Sequence, residues 1–83
     1  MIRILTEDKN RETIYRILGT YAVDSFTVTP AIGFWKGKEE NSLAIDIVGI
    51  SFETARVAAQ AIKAHNNQQC VLVLDIPATS HFI

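Results

Sequence analysis

The chain has 83 residues, with 8 basic and 9 acidic side chains and a formal net charge of −1. That length makes a single domain, 1–83, and the balanced charge excludes the basic stripe of a nucleic-acid binder and any field that would steer the chain to a membrane surface. With 48% hydrophobic residues the chain is too apolar to stay disordered, yet no apolar run reaches the ~20 residues that span a bilayer.

In chain order, residues 2–5 read as a short first strand. Residues 6–10 are a polar helix start, where Thr6 or Asp8 can accept from the first helical N–H groups. Ile14, Ile17, Leu18 and Tyr21 follow the i, i+3, i+4, i+7 spacing of an amphipathic helix, which Gly19 weakens by up to ~1 kcal/mol relative to Ala. After a loop at 22–24, residues 25–36 alternate as a second strand. Phe26, Val28, Pro30, Ile32 and Phe34 share one face, and Thr27, Thr29, Ala31, Gly33 and Trp35 the other. Pro30 cannot donate to a ladder, so this strand is an edge or is bulged there. Residues 36–41 form a charged turn containing Gly37. The third strand then sets Leu43, Ile45 and Ile47 against Ala44, Asp46 and Val48.

The stretch 25–50 is thus one hairpin with arms longer than the usual ~5–6 residues of a strand, carrying Phe34 and Trp35 near its tip. Such an arm projects beyond its own sheet and is more useful against another subunit than in a monomer. Ser51 follows as an N-cap with Glu53 in the first helical turn, and Phe52, Ala55, Ala58, Ala59 and Ile62 form the buried stripe of a second helix. Asn66-Asn67 is its stop signal. Residues 70–76 are a fourth strand ended by Pro77, and the tail 79–83 has the makings of a further edge strand.

The order β-α-β-β-α-β with right-handed crossovers gives an α+β, ferredoxin-like sandwich: two helices on one face of an antiparallel sheet of order 4-1-3-2. The other face is more apolar than an isolated domain requires. Val71 and Val73 alternate with Leu72 and Leu74, so strand four is apolar on both sides, a pattern of burial on both sides. Leu5, Ala31, Trp35, Ala44 and Val48 add to the same face, giving a patch large enough to mark an interface. Phe34, Trp35, Val48, Val71 and Val73 are the candidate interface residues. Arg3, Asp46 and Asp75 fall on that face by parity, as an ion pair at an interface rim or as a polar ligand clamp. Lys36 and Lys38 with Trp35 are either a solvated hairpin tip or a receptor for an anion or base at a subunit cleft.

Catalytic chemistry is poorly represented. Cys70, the only cysteine, sits among aliphatics as a small core residue, His65 near a helix C-terminus suits the dipole, and His81 lies in the tail. These form neither a nucleophile–base pair nor a metal set, so no enzyme, metal or cofactor is expected. Gly33, Gly37 and Gly49 belong to strand ends or bulges rather than a phosphate loop. Residues 1–7 lack the apolar region of a signal peptide, which makes a cytoplasmic protein the default. A domain of this size buries only ~60–65% of its unfolded surface, and with no disulfide available, association between copies is the common remaining source of stability.

Trp35-Lys36-Gly37-Lys38, followed by Glu39-Glu40 and an alternating apolar strand, resembles the hairpin of CutA-type divalent-ion tolerance proteins, which share a fold with the PII nitrogen-regulatory proteins. The resemblance implies a PII/CutA-like domain that forms homotrimers, the long hairpin embracing a neighbour. It lies mainly in the hairpin and in the order of elements. Val48-Gly49 stands where the family's Lys-Thr pair usually ends the third strand, and the long exposed loop of PII proteins is missing, so ion tolerance and nitrogen signalling are not implied. The expected function is non-enzymatic ligand binding or regulation by a homotrimer, with small-molecule or nucleotide sites at subunit clefts. The alternative is a protein-interaction module, of phage type, that modulates another protein.

Overall fold

Side-chain alternation decides how this chain layers. Ile2, Ile4 and Thr6 are buried on one side of the first strand, and Leu43, Ile45 and Ile47 on one side of the third. The computed structural model of the chain describes residues 1–68, 70–79, 81 and 83. Six elements follow one another: β1 (Ile2–Glu7), α1 (Arg11–Thr20), β2 (Thr27–Trp35), β3 (Lys38–Ile47), α2 (Phe52–His65) and β4 (Leu72–Asp75). All strand pairs are antiparallel, and the sheet order is β2-β3-β1-β4, the expected 4-1-3-2. Ile14, Ile17 and Leu18 of α1 and Ala58 and Ile62 of α2 join Ile4, Leu43, Ile45 and Ile47 in one core. The alanines at 55, 58 and 59 are buried, as a helix lying close on a sheet requires.

The hairpin turn is tighter than its charge run implies. Lys36 and Gly37 alone connect β2 to β3, both with positive φ (50° and 79°), as a two-residue type I′ connection demands. Glu39, Glu40 and Asn41 therefore belong to β3, not to a turn. The register runs without interruption from Thr27↔Asp46 to Trp35↔Lys38, through Pro30↔Leu43, so Pro30 is accommodated by the edge position of β2 rather than by a bulge. Pairing of β1 with β3 ends at Glu7↔Ser42, and the pairs Ile32↔Asn41, Gly33↔Glu40, Phe34↔Glu39 and Trp35↔Lys38 extend past it, by ~13 Å at strand rise. The hairpin projects as expected.

The helix ends depart from expectation in instructive ways. Neither Thr6 nor Asp8 caps α1. Asn10 holds the N-cap position in the left-handed region (φ 52°), which Asn tolerates, and its side chain makes no cap hydrogen bond. Asp8 instead accepts from Nε and Nη2 of Arg11, at 2.8 Å each, and that pairing holds its carboxyl below the ordinary value. Ser51 does cap α2, its Oγ accepting from the Thr54 N–H at 3.1 Å, and Asn66 and Asn67 end that helix, Asn67 at φ 51°. Phe52, assigned to the buried stripe, is 43% exposed, whereas Val23 in the loop after α1 is buried, its N–H donating to the Leu18 carbonyl. β4 is shorter than expected, and Thr79, His81 and Ile83 lie in no strand; the remainder of the expected tail strand falls outside the described residues.

Gly19 offers a direct check of the helix assignment. It is exposed, has no positive φ, and a Cβ built there meets nothing within 4 Å. Gly19→Ala is expected to raise the unfolding free energy by ~0.5–1 kcal/mol in urea titrations; a loss of stability would contradict the helical placement.

Candidate functional site

The face of the sheet away from the helices is built by parity from Arg3, Leu5 and Glu7 of β1, Leu72 and Leu74 of β4, Ser42, Ala44 and Asp46 of β3, and the odd-numbered residues of β2. At the hairpin end of this face lies a groove of about 270 Å³, lined by Leu5, Glu7, Trp35, Glu40, Cys70 and Leu72, with Gly33 and Ser42 between them. Gly33 lies two residues before the end of β2 in an unbroken register, so it is no bulge, and its missing side chain leaves the β2 side of the groove low. Trp35 stands two residues further along the same face, 42% exposed.

A buried polar clasp holds the β1 side. Gln68 Oε1 accepts from Thr6 Oγ1 at 2.6 Å and from the Glu7 N–H at 3.0 Å. Asn66 Nδ2 donates to the Lys9 carbonyl at 2.6 Å, and Asn66 Oδ1 accepts from Asn10 Nδ2 at 2.9 Å. Thr6, Asn66 and Gln68 are all buried. The clasp joins the end of β1 to the end of α2, so it holds the backbone at Glu7. Gln68 Nε2 is buried with no hydrogen-bond partner among the described residues.

The sequence-derived site residues divide into two groups. Trp35 and Lys38 are directly opposed beside the turn residue Lys36, at the tip. Arg3 and Asp46 are directly opposed at the far end, four β1 residues from Glu7, or ~13 Å. Arg3 Nε and Nη2 donate to Asp46 Oδ1 and Oδ2 at 2.7 and 3.1 Å, and these hydrogen bonds push the guanidinium further above its ordinary value. Asp75 does not join them. It opposes Ile2, which places it on the helix side, because β4 pairs through Arg3↔Leu74 and not through Arg3↔Asp75. The same register corrects the interface set: Val73 opposes Ile4, and both Val71 and Val73 pack against the core, leaving Leu72 and Leu74 on the open face. Phe34, 72% exposed, and Ile32, 65% exposed, lie on the opposite side of the projecting hairpin from Trp35, and Val48 is exposed beyond β3.

Cys70 is exposed at the groove rim rather than buried among aliphatics, because β4 begins at Leu72 and Cys70 precedes it. His65 occupies the last turn of α2, as expected, and His81 is exposed. Among the described residues no group of three or more His, Cys, Asp or Glu side chains is placed to hold a metal ion, and no helix is long and apolar enough to cross a membrane. Sequence reasoning missed Glu7, Glu40 and Ser42 as groove residues. Part of the signal was present: once the turn is reduced to two residues, the hairpin register puts Glu40 opposite Gly33 and Ser42 opposite Ala31, while Glu7 comes beside Ser42 only through the β1–β3 register. No family model matches the chain, and no curated protein matches it.

Both partners of the Arg3–Asp46 pair keep solvent contact, with side chains 37% and 20% exposed. In dilute protein Asp46→Asn is therefore expected to cost no more than ~1 kcal/mol of stability. A loss above ~3 kcal/mol in urea titrations would instead mark a fully desolvated pair.

Proposed function

We propose that this chain is a non-enzymatic, self-associating ligand-binding or regulatory domain of the ferredoxin-like, PII/CutA-like kind, working as a homotrimer with small-molecule sites in the clefts where subunits meet. The observation that carries the reading is the hairpin, which runs past β1 and is apolar on both sides near its tip: Ile32 and Phe34 on one, Trp35 on the other. A projecting two-stranded ribbon is marginal by itself in water, and large exposed side chains on both of its faces favour a partner that covers them. Leu5, Leu72 and Leu74 continue the apolar surface across the open face of the sheet. The same exposed tip also suits the alternative, a module that grips a different protein.

Trp35→Ala separates self-association from an isolated domain. Native mass spectrometry of the unmodified chain at micromolar concentration is expected to give a trimer, and the substitution to shift it toward smaller species. A monomer in both cases would overturn the assembly reading. A trimer untouched by the substitution would remove the hairpin from it.

A further inference from the structure

Among the described residues, three carboxylates are paired with arginine, and the two carboxylates of the groove are not. Asp8, Asp46 and Glu53 each sit against an arginine at 2.6–2.8 Å. The carboxylates of Glu7 and Glu40 make no ion pair and no hydrogen bond among the described residues, and both line the groove, half-buried, beside Trp35, Leu5 and Leu72. The register at Gly33 excludes a bulge, and the absent side chain leaves room beside Ser42, whose Oγ a Cβ there would meet at 3.1 Å. The groove thus combines a cleared wall, apolar sides, an indole and two carboxylates that make no ion pair among the described residues.

We propose that this groove binds a small organic cation: an ammonium group on one apolar ring. The ammonium lies by Glu7 and Glu40, where charge-assisted hydrogen bonds hold it, and the ring packs against Trp35, Leu5 and Leu72. Size and sign both narrow the ligand. A volume of about 270 Å³ falls just under the ~300–1,000 Å³ of drug-sized sites, which suits a single ring. Two carboxylates repel phosphate, so a nucleotide is the wrong class for this groove. The inference rests on the ligand-binding reading above and gives that reading its ligand chemistry.

Phenethylamine is the probe, with phenethyl alcohol as its neutral counterpart and 3-phenylpropionate as its anionic one. Trp35, the only tryptophan, reports binding by fluorescence, and Cys70, the only cysteine, reports it by protection from iodoacetamide. Phenethylamine is expected to give a saturable fluorescence change and to slow alkylation. The two counterparts, and the Glu7→Gln and Glu40→Gln variants with phenethylamine, are expected to bind at least about tenfold more weakly, the loss of one charge-assisted bond. In Gly33→Val the new Cβ meets Ser42 Oγ at 3.1 Å and the side chain fills the groove, which is expected to abolish both responses while thermal unfolding stays cooperative. Glu40 lies on the hairpin beyond the last β1–β3 pair, so Glu40→Gln remains informative where Glu7→Gln fails to fold.

The proposal is overturned by the absence of a saturable response up to roughly 10 mM amine. It is also overturned by equal affinity for the alcohol, or by affinity unchanged in both glutamine variants. Native mass spectra of the same samples keep the two readings apart. An intact oligomer indifferent to the amine overturns the inference alone, and a monomer that binds it overturns self-association alone. Loss of the oligomer in both glutamine variants, without any amine response, would assign the groove to the Lys36–Lys38 tip of a second copy.

Discussion

The two-residue turn at Lys36-Gly37 is the constraint on which the rest of this molecule depends. Both residues need positive φ, a conformation that Gly37 adopts without strain and that costs Lys36 roughly 1–2 kcal/mol. The turn fixes Trp35 against Lys38, and every later pair follows from that start. A slip of one residue would exchange the two faces of the hairpin. Leu43, Ile45 and Ile47 would leave the core, and Ala44, Asp46 and Ser42 would enter it. The hairpin's share of the open face, with Gly33 opposite Glu40 and Trp35 opposite Lys38, follows from that register; the β1–β3 register adds the pairing of Arg3 with Asp46.

Much of the architecture was legible because each element announces itself locally. The spacing of Ile14, Ile17 and Leu18, the Ser51 cap with Glu53 behind it, and the alternation through β3 are short-range signals that tertiary packing reinforces. The failures came where partners distant in sequence compete for a side chain. Thr6 was available as a helix cap, but Gln68 takes its hydroxyl; Asp8 was equally available, but Arg11 takes its carboxylate. Asp75 lies on the helix side because its face depends on the register of β4 against β1, which parity along β4 does not give. Cys70 is exposed for a related reason: its neighbours are aliphatic in sequence, yet pairing starts only at Leu72.

The candidate site was half legible. Trp35 and the hairpin tip stood out from the chain, and so did the apolar excess on the open face. The acidic side of the groove did not, because Glu40 reads as part of a charged turn when the turn is taken as six residues rather than two. Placing it in β3 turns a solvated charge into one that faces Gly33 and Trp35 on a sheet surface. The Thr6–Gln68 and Asn10–Asn66 contacts were invisible in the sequence, since more than fifty residues separate the partners, yet they are what hold Glu7 in place.

A small domain with a projecting apolar hairpin and an apolar open face gains most from a partner that covers both, and a second copy of the chain is the partner we propose. Acrylamide quenching of Trp35 across a dilution series tests this most directly, since the isolated chain leaves that side chain 42% exposed. The account predicts a protected tryptophan at tens of micromolar that becomes accessible on dilution, as mass action dissociates the assembly. The same quenching at every concentration, at the level of a half-exposed indole, would contradict it.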